Sequence, residues 1–356
     1  MAVDYKRELN GLIELVVAEK ASDLHFAVGS HPIMRITGSL IPLLKKPILT
    51  PEDVLSFAKV LMRPDQLERF FEGRREVDFS YENAQAVRFR GNAFFQRARP
   101  GIALRLIPNV IRTFEELNLP PILASFAERP QGFFLCVGPV GQGKSTTLAA
   151  MVNHINRTRA ENILTIEDPI EYIYTEDKAH ISQREVGLDT ESFQAALNAS
   201  FRQDVDVILV GEMRNAETIA TAVTAAETGH LVCSTLHTND AAHTINRILD
   251  SFPGNQQDQI RVQLSASLVA IFSQRLVPHI AGGLVPAYEL LVNNHAVSNL
   301  IRENRVHEIP AIIETGLEQG MIDMNRTLAR LIQSGDITVE TAFAHSVNPK
   351  GLERLI

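Results

Sequence analysis

The chain has 356 residues, with 34 Lys and Arg against 42 Asp and Glu and a formal charge of −8. Hydrophobic residues make up 45% and charged residues 21%, which excludes wholesale disorder, and the acidic balance argues against a general nucleic-acid binder. At roughly 150 residues per domain, the length suggests two domains. The two cysteines, Cys136 and Cys233, cannot build a disulfide framework or a tetra-Cys zinc site. Each lies in an apolar run, so both are expected to be buried core thiols. Residues 1–20 carry Asp4, Lys6, Arg7, Glu8 and Glu14 among their apolar positions, unlike a signal peptide. With no run of about 18 apolar residues, a soluble cytoplasmic protein is expected.

Leu9, Leu12, Ile13, Val16 and Val17 recur at helical spacing and predict an amphipathic helix. After Gly29 the pattern shortens to alternating stretches broken by Pro32, Gly38, Pro42 and Pro47, which predicts strands and turns. Thr50-Pro51-Glu52-Asp53 predicts a helix start, with Thr as N-cap, Pro at the first helical position and carboxylates near the positive end. From Val77 to Ile107 the chain reads as a meander of strands bearing Arg88, Arg90, Arg97, Arg99 and Arg105. A mixed α+β domain is therefore expected over 1–108, followed by a linker over 109–130 with one short helix.

From 131 the patterns alternate. Strands are expected at 133–137, 162–166, 205–210 and 231–236, with helices from 144, near 191–203 and near 215–228. That order implies an α/β domain with a mainly parallel sheet. From about 254 the chain reads as mostly helical.

Gly138-Pro139-Val140-Gly141-Gln142-Gly143-Lys144-Ser145 fits the phosphate-loop pattern G-x-x-x-x-G-K-[ST] in full, between a strand and a helix. Gly138, Gly141 and Gly143 let backbone N–H groups turn toward phosphate oxygens, and the positive end of the following helix adds to the attraction. Lys144 is expected on the β- and γ-phosphates and the Ser145 hydroxyl on Mg²⁺. No Asn-Lys-x-Asp guanine signature occurs.

Two further strands end in acids. Ile163-Leu164-Thr165-Ile166 runs into Glu167-Asp168-Pro169-Ile170-Glu171, and Asp206-Val207-Ile208-Leu209-Val210-Gly211 delivers Glu212. Ligands of open α/β sheets bind at that edge, so both carboxylates are expected beside the phosphate loop, serving Mg²⁺ and the attacking water.

With these boxes in place, the chain resembles the PilT-type twitching-motility ATPases of the secretion-ATPase superfamily. The resemblance runs almost end to end. It includes Ser22-Asp23-Leu24-His25, the arginine-rich meander, the phosphate loop, the acid box at 165–171 and Gln183-Arg184-Glu185-Val186-Gly187. It continues through Val210-Gly211-Glu212-Met213-Arg214 and the histidine box from Thr228-Gly229-His230-Leu231 to Thr235-Leu236-His237-Thr238.

The resemblance implies a PAS-like N-terminal domain, a RecA-like P-loop ATPase domain with a helical C-terminal region, and a ring of six subunits. Carried over by position, Gly138, Gly141, Gln142, Gly143, Lys144, Ser145 and Thr146 hold ATP, and Ser145 and Glu212 hold Mg²⁺. Glu167 polarises the water, with Glu212 as the alternative base, while His230 and His237 sense the γ-phosphate. Arg88, Arg90, Arg97, Arg99 and Arg105 match, more loosely, a region whose arginines close over the phosphates. Arg105 is the catalytic candidate among them, and Arg275 joins the nucleotide contacts.

The same resemblance implies pilus retraction at the inner face of the cytoplasmic membrane, through an inner-membrane platform protein and alongside other pilus motor ATPases. Membrane association comes only through partners, and no nucleic acid is involved. Assembly relatives typically carry a tetra-Cys zinc site, which two cysteines cannot supply. Ala296-Val297-Ser298-Asn299-Leu300-Ile301-Arg302-Glu303-Asn304 resembles an A-I-R-N-L-I-R-E element of the retraction branch, and its Leu300 and Ile301 also suit a plain helix core.

The chain departs from the family pattern at Ser298, Val140, Gln142, Val205 and Asn215, and Gln274-Arg275-Leu276 is closer to assembly and secretion relatives. The same engine serving assembly, type II secretion or an accessory role is the alternative, and a nucleotide-gated module with weak turnover is the alternative from another class.

Overall fold

A computed structural model describes residues 4–36, 38–74, 76–108 and 110–356. Residues 1–3 of the expected first domain and Asn109, at the expected linker's start, lie outside the described residues. The chain separates into two compact units, residues 1–109 and 110–356.

In the first unit, the helix Tyr5–Ala18 is capped by Asp4, whose carboxylate accepts from the Arg7 amide at 3.1 Å. Leu9, Leu12, Ile13 and Val16 are buried as their spacing predicts, whereas Val17 is 47% exposed because it falls off the edge of that stripe. Six strands follow: β1 (Asp23–Ala27), β2 (Ile33–Ile36), β3 (Ser39–Pro42), β4 (Glu76–Glu82), β5 (Arg88–Gln96) and β6 (Arg99–Ile107). Their order is β3-β2-β1-β6-β5-β4, with every pairing antiparallel.

Helices Pro51–Leu61 and Pro64–Arg69 precede β4. The first opens with a capping box in which Thr50 and Asp53 satisfy each other's amides. Phe26 stacks on Phe57 at 4.6 Å between ring centres, and Leu24, Phe79, Phe89 and Leu104 complete the core. Since side chains alternate along a strand, the opposite face carries the polar set.

The second unit is built on seven strands: β7 (Gly132–Val137), β8 (Asn162–Glu167), β9 (His180–Glu185), β10 (Val207–Val210), β11 (Leu231–Leu236), β12 (Leu268–Pro278) and β13 (Leu284–Val292). Their order is β13-β12-β7-β11-β10-β8-β9, parallel except for β13. Every residue of β7, β10 and β11 is buried. Phe133, Leu135 and Val137 face one core while Phe134 and Cys136 face another, so both faces are covered, as parallel sheets require. The α/β class expected from the alternating patterns is the observed one. Cys136 and Cys233 are fully buried free thiols, and burial pushes each up to about 12.

Two stretches differ from the sequence expectation. From 110 on, the expected linker packs into the second unit, where Phe114, Leu119, Leu123 and Phe126 join the core against the helix Lys144–Thr158. Within the region read as mostly helical, 268–292 forms the β12–β13 hairpin between the helices Gly254–Ser267 and His295–Arg302. Its residues, Leu268-Val269-Ala270-Ile271-Phe272 and Val285, are buried against β7 and the C-terminal helices. Strand β9 escaped the hydrophobic pattern because it is the polar edge of the sheet.

Candidate nucleotide site

β7 ends at Val137, and the chain turns through Gly138, Gly141 and Gly143 with φ of 149°, 77° and 77° before the helix Lys144–Thr158 begins. Those angles leave backbone amides pointing into the turn, which is where side-chain-free residues are needed. Lys144 is only 7% exposed. Its ammonium donates to the Gly138 and Pro139 carbonyls at 2.9 and 2.8 Å and lies 3.2 Å from His237 Nδ1. Burial lowers its pKa. Thr146 shares a 2.8 Å hydrogen bond with the Tyr172 hydroxyl, and Ser145 stands beside it in the first helical turn.

Parallel register brings the acids to the same edge. Ile166 of β8 is level with Val210 of β10, Val210 with Ser234 of β11, and Ser234 with Leu135 of β7. Glu167, Glu212 and His237 therefore all leave the sheet on the side where β7 enters the glycine turn. Glu167 is 7% exposed; Oε1 accepts from the Thr165 hydroxyl at 2.7 Å and Oε2 from the Glu171 amide at 3.1 Å. Burial pushes its pKa up to about 7. A carboxylate titrating there is suited to take a proton from water near neutrality.

Glu212 forms an ion pair with Arg214, and its other oxygen is 4.0 Å from His237 Nε2. An ammonium has no acceptor, so His237 Nδ1 accepts from Lys144 and the ring proton sits on Nε2, toward Glu212. Burial, and then the Lys144 charge, lower the His237 pKa and keep the ring neutral.

Among the described residues no three His, Cys, Asp or Glu side chains gather into a metal cage. The donors at this edge, a serine hydroxyl and carboxylates, suit Mg²⁺, which takes hard oxygens and completes its shell with phosphate and water.

His230 is not brought to this edge. It precedes β11, its carbonyl accepts from the Gly132 amide where β7 begins, and its Nδ1 lies 3.0 Å from the Ala225 carbonyl. A full strand length separates it from His237, so within one chain it cannot reach a phosphate held by Lys144.

Arg275 also falls elsewhere. Its guanidinium points to the His345 carbonyl at 3.5 Å, while Gln274 and Leu276 on either side face the loop. Period-two alternation along β12 was the signal that could have exchanged these assignments, had the strand been recognised. Thr165, Tyr172 and Gln274 are polar neighbours of the site to which sequence reasoning gave no role there.

The arginines at 88, 90, 97, 99 and 105 all lie in the first unit. Arg105 Nε donates to Asp23 Oδ1 at 2.9 Å, with Arg35 3.7 Å from the same carboxylate. Register places Arg35, Asp23, Arg105, Arg90 and Ser80 in one row across five strands, on the face opposite the core. Arg88 pairs with Glu82 at 3.8 Å. Arg97, with φ of 49°, and Arg99 are exposed at the tip of the β5–β6 hairpin.

On the helix His295–Arg302, Val297, Leu300 and Ile301 are buried, while Ala296, Asn299 and Arg302 are exposed. Ser298, at the position of the family arginine, donates inward to the Ser265 carbonyl at 2.9 Å and Asn293 Oδ1 at 3.1 Å.

Residues 4–304 match the family model described as type II/IV secretion system protein. The chain belongs to that family. It is 44% identical over 322 residues to a twitching motility protein of Neisseria gonorrhoeae, covering 90% of this chain and 86% of the relative. It is 42% identical over 335 residues to the type IV pilus retraction ATPase PilT of Pseudomonas aeruginosa, covering 94% and 97%. A crystal structure of the pilus retraction motor PilT with bound ADP superposes with a TM-score of 0.90 at 47% identity, covering 96% of this chain and 98% of that one. This member of the secretion family thus keeps the PilT fold over nearly its whole length, with a RecA-like ATPase domain following the N-terminal one.

Proposed function

We propose that this protein is an ATP-hydrolysing motor that drives type IV pilus retraction. The observation that carries the reading is the meeting, on one sheet edge, of the phosphate-loop lysine with Glu167, Glu212 and His237 from separate strands, in a chain similar to PilT end to end. Similarity to named pilus-retraction proteins favours retraction over assembly or secretion.

In this reading 1–108 is the PAS-like domain, and the ATPase domain takes in the stretch from 110 that packs into its core. The amides of 138–143 and Lys144 bind the phosphates, with Ser145 and Thr146 at the start of the helix. Ser145 and Glu212 would hold Mg²⁺, which would supply positive charge to the phosphates. Glu167 orients a water and takes its proton, while neutral His237 joins Lys144 to Glu212. Phosphoryl transfer spreads negative charge over three oxygens, so further cations lower the barrier. Arg90, Arg97 and Arg99 are exposed candidates for that role, and Arg105 becomes one when released from Asp23. The working unit is a homohexamer on the cytoplasmic face of the inner membrane, acting through a platform protein.

The deciding experiment is deletion of the gene in its own host, with surface pili counted and twitching scored. Abundant pili without movement support a retraction motor. Bare cells indicate an assembly motor, and unchanged pili and movement indicate a secretion or accessory role.

A further inference from the structure

The phosphate loop is fastened to β12 by hydrogen bonds that the catalytic roles above do not use. β12 runs beside β7 until Ser273 faces Val137, and then continues through 274–278 after β7 has turned into the loop. One side of this extension pairs with β13, from Gln274 opposite Tyr288 to Pro278 opposite Leu284. The other side has lost its strand partner, and an unpaired buried amide costs about 1–3 kcal/mol.

The loop takes that place. Gln142 Oε1 accepts from the Leu276 amide at 2.6 Å, and the Gln142 carbonyl accepts from Gln274 Nε2 at 2.8 Å. Gln274 Oε1 in turn accepts from the Thr147 hydroxyl at 2.6 Å, in the first turn of the following helix. Gln274 is 3% exposed. A Cβ at Gly138 would fall 2.3 Å from the Gln274 carbonyl oxygen, and one at Gly143 would fall 2.9 Å from Gln274 Nε2. Loop and strand are thus in contact at both ends of the glycine turn.

We propose that Gln142 and Gln274 are positioning residues for the nucleotide, bracing the loop on β12 so that its amides are set for phosphate before ligand arrives. The inference rests on the reading of 138–145 as a nucleotide-phosphate loop. A loop that samples other conformations binds with its intrinsic affinity reduced by the fraction of time it is competent. The brace raises that fraction. A serine or alanine at 142 is too short to reach the Leu276 amide.

The test uses the full chain carrying Q142M, which keeps length but removes the acceptor, Q142S, Q274M and the Q142M/Q274M pair. Calorimetric titration with ADP and Mg²⁺ gives Kd, hydrogen exchange of ligand-free protein reports on the amides of 139–143, and ATP turnover gives KM and kcat separately. The expected result is a rise of about three- to tenfold in Kd, the scale of one net hydrogen bond. Faster exchange confined to the loop should accompany it, with the loss falling on KM more than on kcat. The double variant should be little weaker than the worse single one.

Unchanged Kd and loop exchange, with or without a lowered melting temperature, would reduce the contacts to structural bonds and overturn the proposal. Failure of the unaltered chain to bind ADP would instead remove the phosphate-loop reading itself. If Q142M does not fold, Q142S supplies the same comparison.

Discussion

Lys144 Nζ stands 3.2 Å from His237 Nδ1, joining the cation of the phosphate loop to an imidazole carried by a different strand. The ring then turns Nε2 toward Glu212, 4.0 Å away. The contact ties the phosphate loop to the end of β11, which the helix Ala241–Leu249 follows.

Lys144→Ala removes the ammonium while leaving the helix that follows. Both nucleotide binding and turnover should be lost, with the fold retained, measured by ADP titration and circular dichroism of the same sample. Tight ADP binding by this variant would contradict the site.

Glu167→Gln keeps shape and an acceptor for the Glu171 amide but cannot take a proton. Turnover should drop roughly 10²-fold or more, with ATP binding preserved, as expected on losing a positioned base. Glu212→Gln should instead raise the Mg²⁺ concentration needed for half-maximal turnover. Normal turnover in the first variant with a dead second one would reverse the assignment of the base.

Glu167 also sets a pH dependence. With its pKa near 7, the carboxylate form needed for proton abstraction is depleted as pH falls. The kcat/KM profile should show an acid limb near pH 7, which Glu167→Gln abolishes.

A second acid, the half-buried Glu289, accepts from the Ala241 amide at 2.8 Å at the start of the helix that follows His237, and desolvation pushes it to about 7. Its folded pKa lies above the ordinary value of 4.5, so the native state holds a proton that the unfolded chain releases. Its stabilising contribution is full below about pH 4.5 and is lost as pH rises through 7. Glu289→Gln should therefore raise the melting temperature by about 2–4 °C at pH 8 and change little at pH 4.5. Equal shifts at both pH values would refute the ionisation argument.

Ser298→Ala removes the one hydroxyl proton shared between the Ser265 carbonyl, in the helix Gly254–Ser267, and Asn293 Oδ1. The expected cost is about 1 kcal/mol, read as a lower midpoint in urea, with ATP turnover within twofold of the unaltered chain. A large fall in turnover would mean that this helix acts on the nucleotide site.

Much of the site was legible along the chain because its parts are local. The loop 138–145 carries its own geometry in three glycines, and strands ending in Glu167 and Glu212 announce the sheet edge through apolar runs that stop at acids. The N-cap at Thr50 and the buried cysteines were readable for the same reason, since neighbouring residues decide them.

Only the tertiary structure decided which distant residues share an environment. His230 and His237 are seven positions apart in one motif, yet a strand running the height of the sheet sends them to opposite edges. Arg275 and Gln274 are adjacent, yet strand alternation turns one toward His345 and the other into the phosphate loop. Glu289 carries no local sign of its raised pKa, which comes from packing beneath a helix more than forty residues earlier in the chain. Sequence by itself determined the phosphate loop, the strands that lead into it and into the acids, and the chemistry available, because periodicity and loop motifs are short-range; strand β9 and the β12–β13 hairpin were not legible in it. The partners of each group were left to sheet order and register, which bring together residues that no spacing along the chain relates.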